Sequence, residues 1–351
     1  MTRASGLGAL LLVAGCSGAA LPSDLQRAQA LELGHDDAGA LAAWRAIREG
    51  CANPDARPRG DCGLAAIREA QLLERLARDD EAAAAWEALP QRTREPPQAA
   101  LALYRAAALA DRRGDRSRAE SFAWRCLEQY PDESSAERAV DLLLRLATDG
   151  GDAMSAIARF DRGALRLQAR EVADNLLFAA AHLAEPRDPL AALARFDDLP
   201  LRHPSSPLAD DPLWRSMEIL RRRGDFPGAI ERLRRITRTR RPALVTGSYN
   251  ALLLDDAQLE IGRLYRDGLQ DPEGALRELL IVADDYPEST LRDDALLEAA
   301  EASLARHTPP TGDDRRQACA LLQRLRRQFP DSNRRPAAGE RARQLACDPG
   351  G

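Results

Sequence analysis

Residues 254–289 read LDDAQLEIGRLYRDGLQDPEGALRELLIVADDYPES. Ile261, Gly262 and Tyr265 carry the spacing of one face of a helix, and Ala275 and Leu279 carry the same spacing on a second. Between them Asp271-Pro272 has the form of a helix start. The aspartate can accept hydrogen bonds from the free N–H groups of the first turn, and proline at the first helical position loses no donor. Tyr286-Pro287 then stops the second helix, because proline cannot continue it. The stretch therefore predicts two helices joined by a short turn and closed by a proline joint.

The same order recurs along the chain. An Asp is followed four residues later by Ala, and four later again by a bulky or apolar residue. The series runs Asp36/Ala40/Trp44, Asp115/Ala119/Ala123, Asp152/Ala156/Phe160, Asp188/Ala192/Phe196, Asp225/Ala229/Leu233, Asp271/Ala275/Leu279 and Asp314/Ala318/Leu322. An eighth unit, on Ala82 and Trp86, keeps the spacing but sets Asp79-Asp80 late. Successive alanines stand 42, 37, 37, 36, 37, 46 and 43 residues apart. Each Asp is expected to cap the second helix of a pair, each Ala to let the two helices approach, and each third residue to fill the groove one turn on. Glycine precedes the Asp at Gly114, Gly151 and Gly224 and is expected to end the first helix. Proline stands twelve residues beyond the alanine in Tyr130-Pro131, His203-Pro204, Tyr286-Pro287 and Phe329-Pro330, and one residue later in Arg241-Pro242.

These residues resemble the tetratricopeptide consensus, most closely in Ile261-Gly262-x-x-Tyr265, Ala275, Leu279 and Pro287, with one extra residue in the turn. The resemblance covers about residues 24–346 and implies an all-α, right-handed superhelical solenoid of about eight helical hairpins that binds other proteins. The segments Tyr130-Pro131-Asp132-Glu133-Ser134, Tyr286-Pro287-Glu288-Ser289 and Phe329-Pro330-Asp331-Ser332 are also similar to the Tyr-Pro-x-Ser joints of bacterial envelope proteins. Two such groups are the BamD-type lipoproteins of outer-membrane assembly and the Tol-Pal-associated coordinators of cell division.

Composition agrees with helix. Aromatic residues are only 4% of the 351, and no stretch alternates β-branched with polar residues as a large sheet would need. The formal net charge of −5 is opposite to that of a usual nucleic-acid binder. The runs Arg221-Arg222-Arg223 and Arg232 to Arg241 read as solvated faces, or as a patch for an acidic partner or lipid headgroup.

The N-terminus carries the most specific local signal. Met1-Thr2-Arg3 is a short basic region, residues 4–15 are small and apolar, and the run ends Leu12-Val13-Ala14-Gly15-Cys16. It resembles a bacterial lipobox, which implies cleavage after residue 15 and a lipid on Cys16. Residues 4–15 are too few to span a bilayer, which takes about 20 apolar residues. Residues 16–23 then form a short tether and 347–351 a tail. Ser17 after the cysteine, rather than Asp, implies the outer membrane by resemblance to enterobacterial sorting rules, with the chain facing the periplasm.

In an oxidising compartment the remaining cysteines read as disulfide candidates. Cys51 and Cys62 flank a loop rich in Pro, Arg and Asp that a bridge would staple, and Cys319 and Cys347 could clamp the terminal hairpin. Cys126 would be left over as a small buried hydrophobe. Residues 50–62 and 237–252 lengthen two joints, and the second carries Arg238, Arg240 and Arg241, a candidate partner-binding loop.

No catalytic constellation stands out. His35, His182, His203 and His307 include no pair at the i,i+4 spacing that would put two ligands on one helix face, and no Cys-x-x-Cys, Walker loop or Gly-x-Ser-x-Gly elbow occurs. The acidic pairs at 36–37, 210–211, 255–256, 284–285, 293–294 and 313–314 fall mostly at expected helix starts, where capping accounts for them. A non-enzymatic scaffold follows, with no cofactor, metal, small-molecule substrate or nucleic acid, holding a peptide segment of another envelope protein. The alternative is an accessory of a cell-wall enzyme or a direct peptidoglycan binder. A saccharide groove would need exposed aromatics, yet Trp44, Trp86, Trp124 and Trp214 all fall at helix-packing positions.

Overall fold

The structure is a computed structural model that describes residues 23–51, 60–93, 95–150, 152–204, 206–238 and 253–347. Among these residues every regular element is helical. In chain order the pairs are α1 Ser23–Leu33 with α2 Asp37–Gly50, α3 Gly60–Arg75 with α4 Asp79–Ala88, and α5 Pro96–Arg112 with α6 Arg116–Gln129. Next come α7 Ser134–Asp149, α8 Ala153–Arg166, α9 Val172–Ala184, α10 Pro189–Arg202, α11 Asp210–Arg222 and α12 Phe226–Arg238. The last are α13 Leu254–Arg263, α14 Pro272–Asp285, α15 Arg292–Ala305, α16 Gly312–Gln328 and α17 Arg335–Gln344. The chain divides within α7 into two compact units, Met1–Leu143 and Leu144–Gly351. In the first unit α1 to α6 each pack on the next, and in the second α8 to α17 do the same. The expected all-α array of tetratricopeptide-type helical hairpins is what forms.

The eight anchor alanines all lie on even-numbered helices. Seven are fully buried; Ala156 is only half-buried, because the buried stripe of α8 runs through Ala153, Ile157 and Phe160. The residue four beyond the anchor is buried in every unit, Trp44, Trp86, Ala123, Phe160, Phe196, Leu233, Leu279 and Leu322. Six of the predicted caps form: Asp36, Asp115, Asp152, Asp188, Asp225 and Asp271 each accept from the backbone N–H three residues on, at 2.9–3.1 Å.

The other two units depart from the pattern. Arg78 occupies the cap position of α4 and gives no side-chain bond to it. At α16 the cap is Thr311, and Asp314 lies three residues inside the helix, completing a capping box from a fully buried position. Asp314 stands at the caps' spacing from Ala318, and spacing alone does not distinguish a cap from the residue that answers it.

Before five of the caps the chain turns through a left-handed backbone. Gly114 and Gly224 have φ of 75° and 78°, and His35, Ala77 and Gln270 hold the same place at 58°, 56° and 54°. The extra residue between Ile261 and Asp271 is absorbed by a π turn over Leu264–Gly268, where the Leu269 N–H reaches back to the Leu264 carbonyl at 3.0 Å. Gly262 marks a close crossing, since a Cβ there would stand 2.7 Å from the Leu279 side chain.

Charged side chains then join alternate helices in the second unit. Glu185, on the turn after α9, takes Arg215 and Arg222 of α11; Arg221 of α11 meets Glu260 of α13 at 2.7 Å. Arg263 and Arg266 meet Glu298 of α15 at 2.6 and 2.8 Å, and Arg341 of α17 meets Glu301 at 2.8 Å. The even helices have their own rungs, Arg195–Asp161 at 2.9 Å and Arg232–Asp197 at 2.6 Å. Burial pushes the Glu185 carboxyl up, but hydrogen bonds from Arg222 and Arg215 outweigh it and hold the group below its ordinary range.

Ala77→Gly removes a left-handed backbone penalty and should raise unfolding free energy by about 1 kcal/mol, whereas Gly262→Ala drives a methyl into Leu279 and should lower it by about 2 kcal/mol, both read by urea denaturation. Glu185→Gln should cost about 1–2 kcal/mol at pH 7. Because the folded carboxyl is depressed, its contribution is present above the unfolded value of about 4.3 and is lost as pH falls through the lower folded value, so the gap between variant and parent should narrow as the solution is made acidic.

Candidate functional site

Among the described residues a cleft of about 420 Å³ opens between α2, α3 and α4. Small residues line it, Ala66, Ala85 and Ala88 on the floor and exposed Ala84 on the wall, together with buried Leu73. The rim is ionic. Arg45 and Arg48, one helical turn apart on α2, both address Glu69 of α3, Arg45 through Nε to Oε1 at 2.9 Å and Arg48 to Oε2. Glu69 is buried, and each arginine keeps part of its guanidinium in solvent. The hydrogen bond that Arg45 donates to Glu69 raises the Arg45 pKa above its already high value, so the rim charge is permanent. Arg45 also reaches Glu81 of α4 at 3.3 Å, and Arg78 holds that carboxyl below its ordinary range. Arg92 stands exposed at the mouth. The chemistry offered is directional hydrogen bonding around an apolar floor, with no nucleophile beside a base.

The tryptophans serve the core. Trp44 and Trp86 are fully buried, and their indole N–H groups donate to Glu32 at 2.9 Å and Glu74 at 2.7 Å, each twelve residues earlier on the first helix of the pair. Arg75 and Arg112 of the following first helices meet the same two carboxylates at 3.4 and 2.8 Å. Trp124 is buried and Trp214 half-buried, so neither Trp44, Trp86 nor Trp124 offers a ring face to a sugar.

The residues singled out from the sequence do not converge. Cys16, Arg240 and Arg241 lie outside the described residues. Arg238 ends α12, exposed, and pairs with Glu231 at 3.1 Å. Cys51 and Cys62 are bonded with Cα atoms 5.8 Å apart, and Cys319 and Cys347 with Cα atoms 5.5 Å apart. Cys319 sits in the middle of α16 and Cys347 just beyond α17. Cys126 is buried, and burial pushes its thiol up to about 12, far from a reactive thiolate. No group of three or more His, Cys, Asp or Glu among the described residues is arranged to hold a metal, and no described helix is long and apolar enough to cross a membrane.

Two of the acidic pairs, and the lone Asp174, have a use that spacing did not reveal. Ser206, Ser289 and Ser332, two residues after the joint prolines, donate through Oγ to Asp174 of α9, Asp255 of α13 and Asp293 of α15. Each serine oxygen also accepts the N–H two residues on, at 3.0, 3.0 and 2.9 Å. The joint is thereby latched to the first helix of its own pair. The Pro-x-Ser sequence was visible, but its partner about 32–39 residues earlier was not.

The sequence profile of the tetratricopeptide repeat family matches residues 256–289 and 294–332, which are α13 with α14 and α15 with α16, each continuing into its joint. Those two hairpins are similar to tetratricopeptide repeats. No curated protein sequence matches the chain. Among solved structures, a human IFIT1 dimer with m7Gppp-AAAA is 14% identical, with a TM-score of 0.40, covering 92% of this chain and 81% of that one. A tetratricopeptide repeat protein from Parabacteroides merdae is 12% identical, with a TM-score of 0.31, covering 92% and 97%. The P58(IPK) tetratricopeptide domain is 15% identical, with a TM-score of 0.26 and the same coverage.

Glu69 is the keystone of the cleft rim. Glu69→Ala leaves two guanidiniums without their shared acceptor and should lower unfolding free energy by about 2 kcal/mol. Arg92→Ala, at the exposed mouth, should change it by less than about 0.5 kcal/mol by the same measurement.

Proposed function

We propose that this chain is a lipid-anchored, non-catalytic scaffold of a bacterial cell envelope, attached through Cys16 to the periplasmic face of the outer membrane. Its repeat array binds segments of other envelope proteins. The observation that carries the scaffold reading is the α2–α3–α4 cleft. An alanine floor accepts apolar side chains, and fixed guanidinium and carboxylate groups on the rim match the alternating donors and acceptors of a peptide. Many of the other ion pairs join helix to helix, which suits a rigid platform. Anchoring is supported by the residues ending Leu12-Val13-Ala14-Gly15-Cys16, and the outer-membrane assignment by Ser17. The Tyr-Pro-x-Ser joints, similar to those of BamD-type and Tol-Pal-associated proteins, support a place in outer-membrane or division-linked assembly. The paired Cys51–Cys62 and Cys319–Cys347 suit an oxidising compartment.

Two measurements test this reading. Globomycin should leave an unprocessed precursor, and Cys16→Ala should move the protein out of the membrane fraction; unchanged processing and fractionation would reject the anchor. Ala84→Trp, on an exposed position of the cleft wall, should abolish capture of envelope partners by the tagged protein while leaving the melting curve in place. Unchanged capture would reject the cleft.

A further inference from the structure

In the first unit two tryptophans are held by the same kind of frame. The Trp86 indole N–H donates to Glu74 at 2.7 Å, Arg105 meets that carboxylate at 3.2 Å, and the Arg105 guanidinium lies over the indole, 5.9 Å from its centroid. Trp44 donates to Glu32 at 2.9 Å, and Arg75 meets Glu32 at 3.4 Å. Each carboxylate takes the one polar group of the ring and an arginine together, and both rings are fully buried.

The rim of the α2–α4 cleft repeats that frame around open space. Arg45 gives Nε to Glu69 and Nη2 to Glu81, and Arg48 gives Nε to Glu69 and Nη2 to Glu49. These bonds lie in the guanidinium planes and leave the planar faces unused. Among the described residues Glu49 is engaged through Oε1 alone, and its side chain is 62% exposed. The lining carries three arginines, Arg45, Arg48 and Arg92, against three glutamates, Glu49, Glu69 and Glu81, so it favours neither an acidic nor a basic occupant. A guanidinium held at its edge still attracts the negative face of an aromatic ring. The chain makes that contact elsewhere, with Arg125 over Phe122 at 5.4 Å and Arg292 over Phe329 at 5.3 Å. A volume of about 420 Å³ is near the lower end of ligand pockets, roughly 300–1,000 Å³, and suits one large side chain rather than a whole helix.

We infer that the α2–α4 cleft takes one tryptophan side chain of a partner segment. The ring lies on the alanine floor against the faces of Arg45 and Arg48, and the indole N–H donates to the open oxygen of Glu49. Phenylalanine keeps the ring contact and forgoes the hydrogen bond. Leucine keeps neither, and an acidic side chain meets carboxylates as well as arginines. The inference rests on the scaffold reading of the cleft and adds which side chain the cleft selects.

The test adds an uncharged, end-capped pentapeptide, Ser-Gly-Trp-Gly-Ser with a fluorinated indole, to the full chain and follows the ring by fluorine NMR. The signal should shift in a saturable way, and the unlabelled peptide should displace it. Competitors with phenylalanine or N-methylated tryptophan at the centre should be severalfold weaker, and those with leucine or glutamate at least tenfold weaker. Glu49→Ala, at an exposed position, should remove the preference for tryptophan over its N-methylated form, and Ala84→Trp on the cleft wall should abolish binding with the melting curve unchanged. No saturable shift at millimolar peptide, equal competition by leucine or glutamate, or binding indifferent to both variants overturns the inference. Loss of partner capture in Ala84→Trp beside any of those results leaves the scaffold reading standing and removes only the tryptophan. Unchanged capture rejects the scaffold role of the cleft whatever the peptide does.

Discussion

Everything in the array follows from where its second helices begin. An aspartate carboxylate accepting the N–H three residues on satisfies one orphan donor of the first turn and sits at the positive end of the helix dipole, worth about 1 kcal/mol each time. Six such caps recur at nearly constant geometry. Because the cap fixes the first residue of the helix, it also fixes which residues face inward one and two turns later. The anchor alanine and the groove-filling residue inherit their register from it. A left-handed residue just before the cap reverses the chain, and five turns share that conformation whether the residue is Gly, His, Ala or Gln.

Each helix then needs only its neighbours. Apolar burial is shared between adjacent helices, so no single core has to grow with the chain, and 351 residues can be held by many small contacts. The polar groups follow the same economy. Arginine and carboxylate rungs connect many alternate helices, and serine–aspartate latches tie three of the proline joints back to their own pairs. Since most rungs are partly exposed, each adds little; their effect is to set the angle between successive helices rather than to supply the folding energy.

The α2–α4 cleft uses a liberty within this scheme. It exists because α4 carries alanines where bulk would have closed it, and its rim stays charged because Glu69 is buried between two arginines. It does not interfere with the caps or anchors, which is why a repeat scaffold can vary its surface while keeping its frame.

The capping aspartates, anchor alanines, groove-filling residues and proline joints were all legible in the sequence, because each acts within four residues or repeats at a steady period. Local hydrogen bonding and steric exclusion decide them, and both are written in neighbouring residues. Asp314 shows the limit: its spacing matched the caps, yet only the fold reveals that Thr311 caps the helix and Asp314 answers from inside it. The latches of Ser206, Ser289 and Ser332, the ladder through Glu185 and Glu298, and the sharing of Glu69 by Arg45 and Arg48 were not legible. They join residues about 21–40 positions apart, and which of many arginines and carboxylates meet depends on how one helix crosses the next. Sequence determined where the helices start and stop; tertiary packing decided which charges pair and where a cleft was left open between helices.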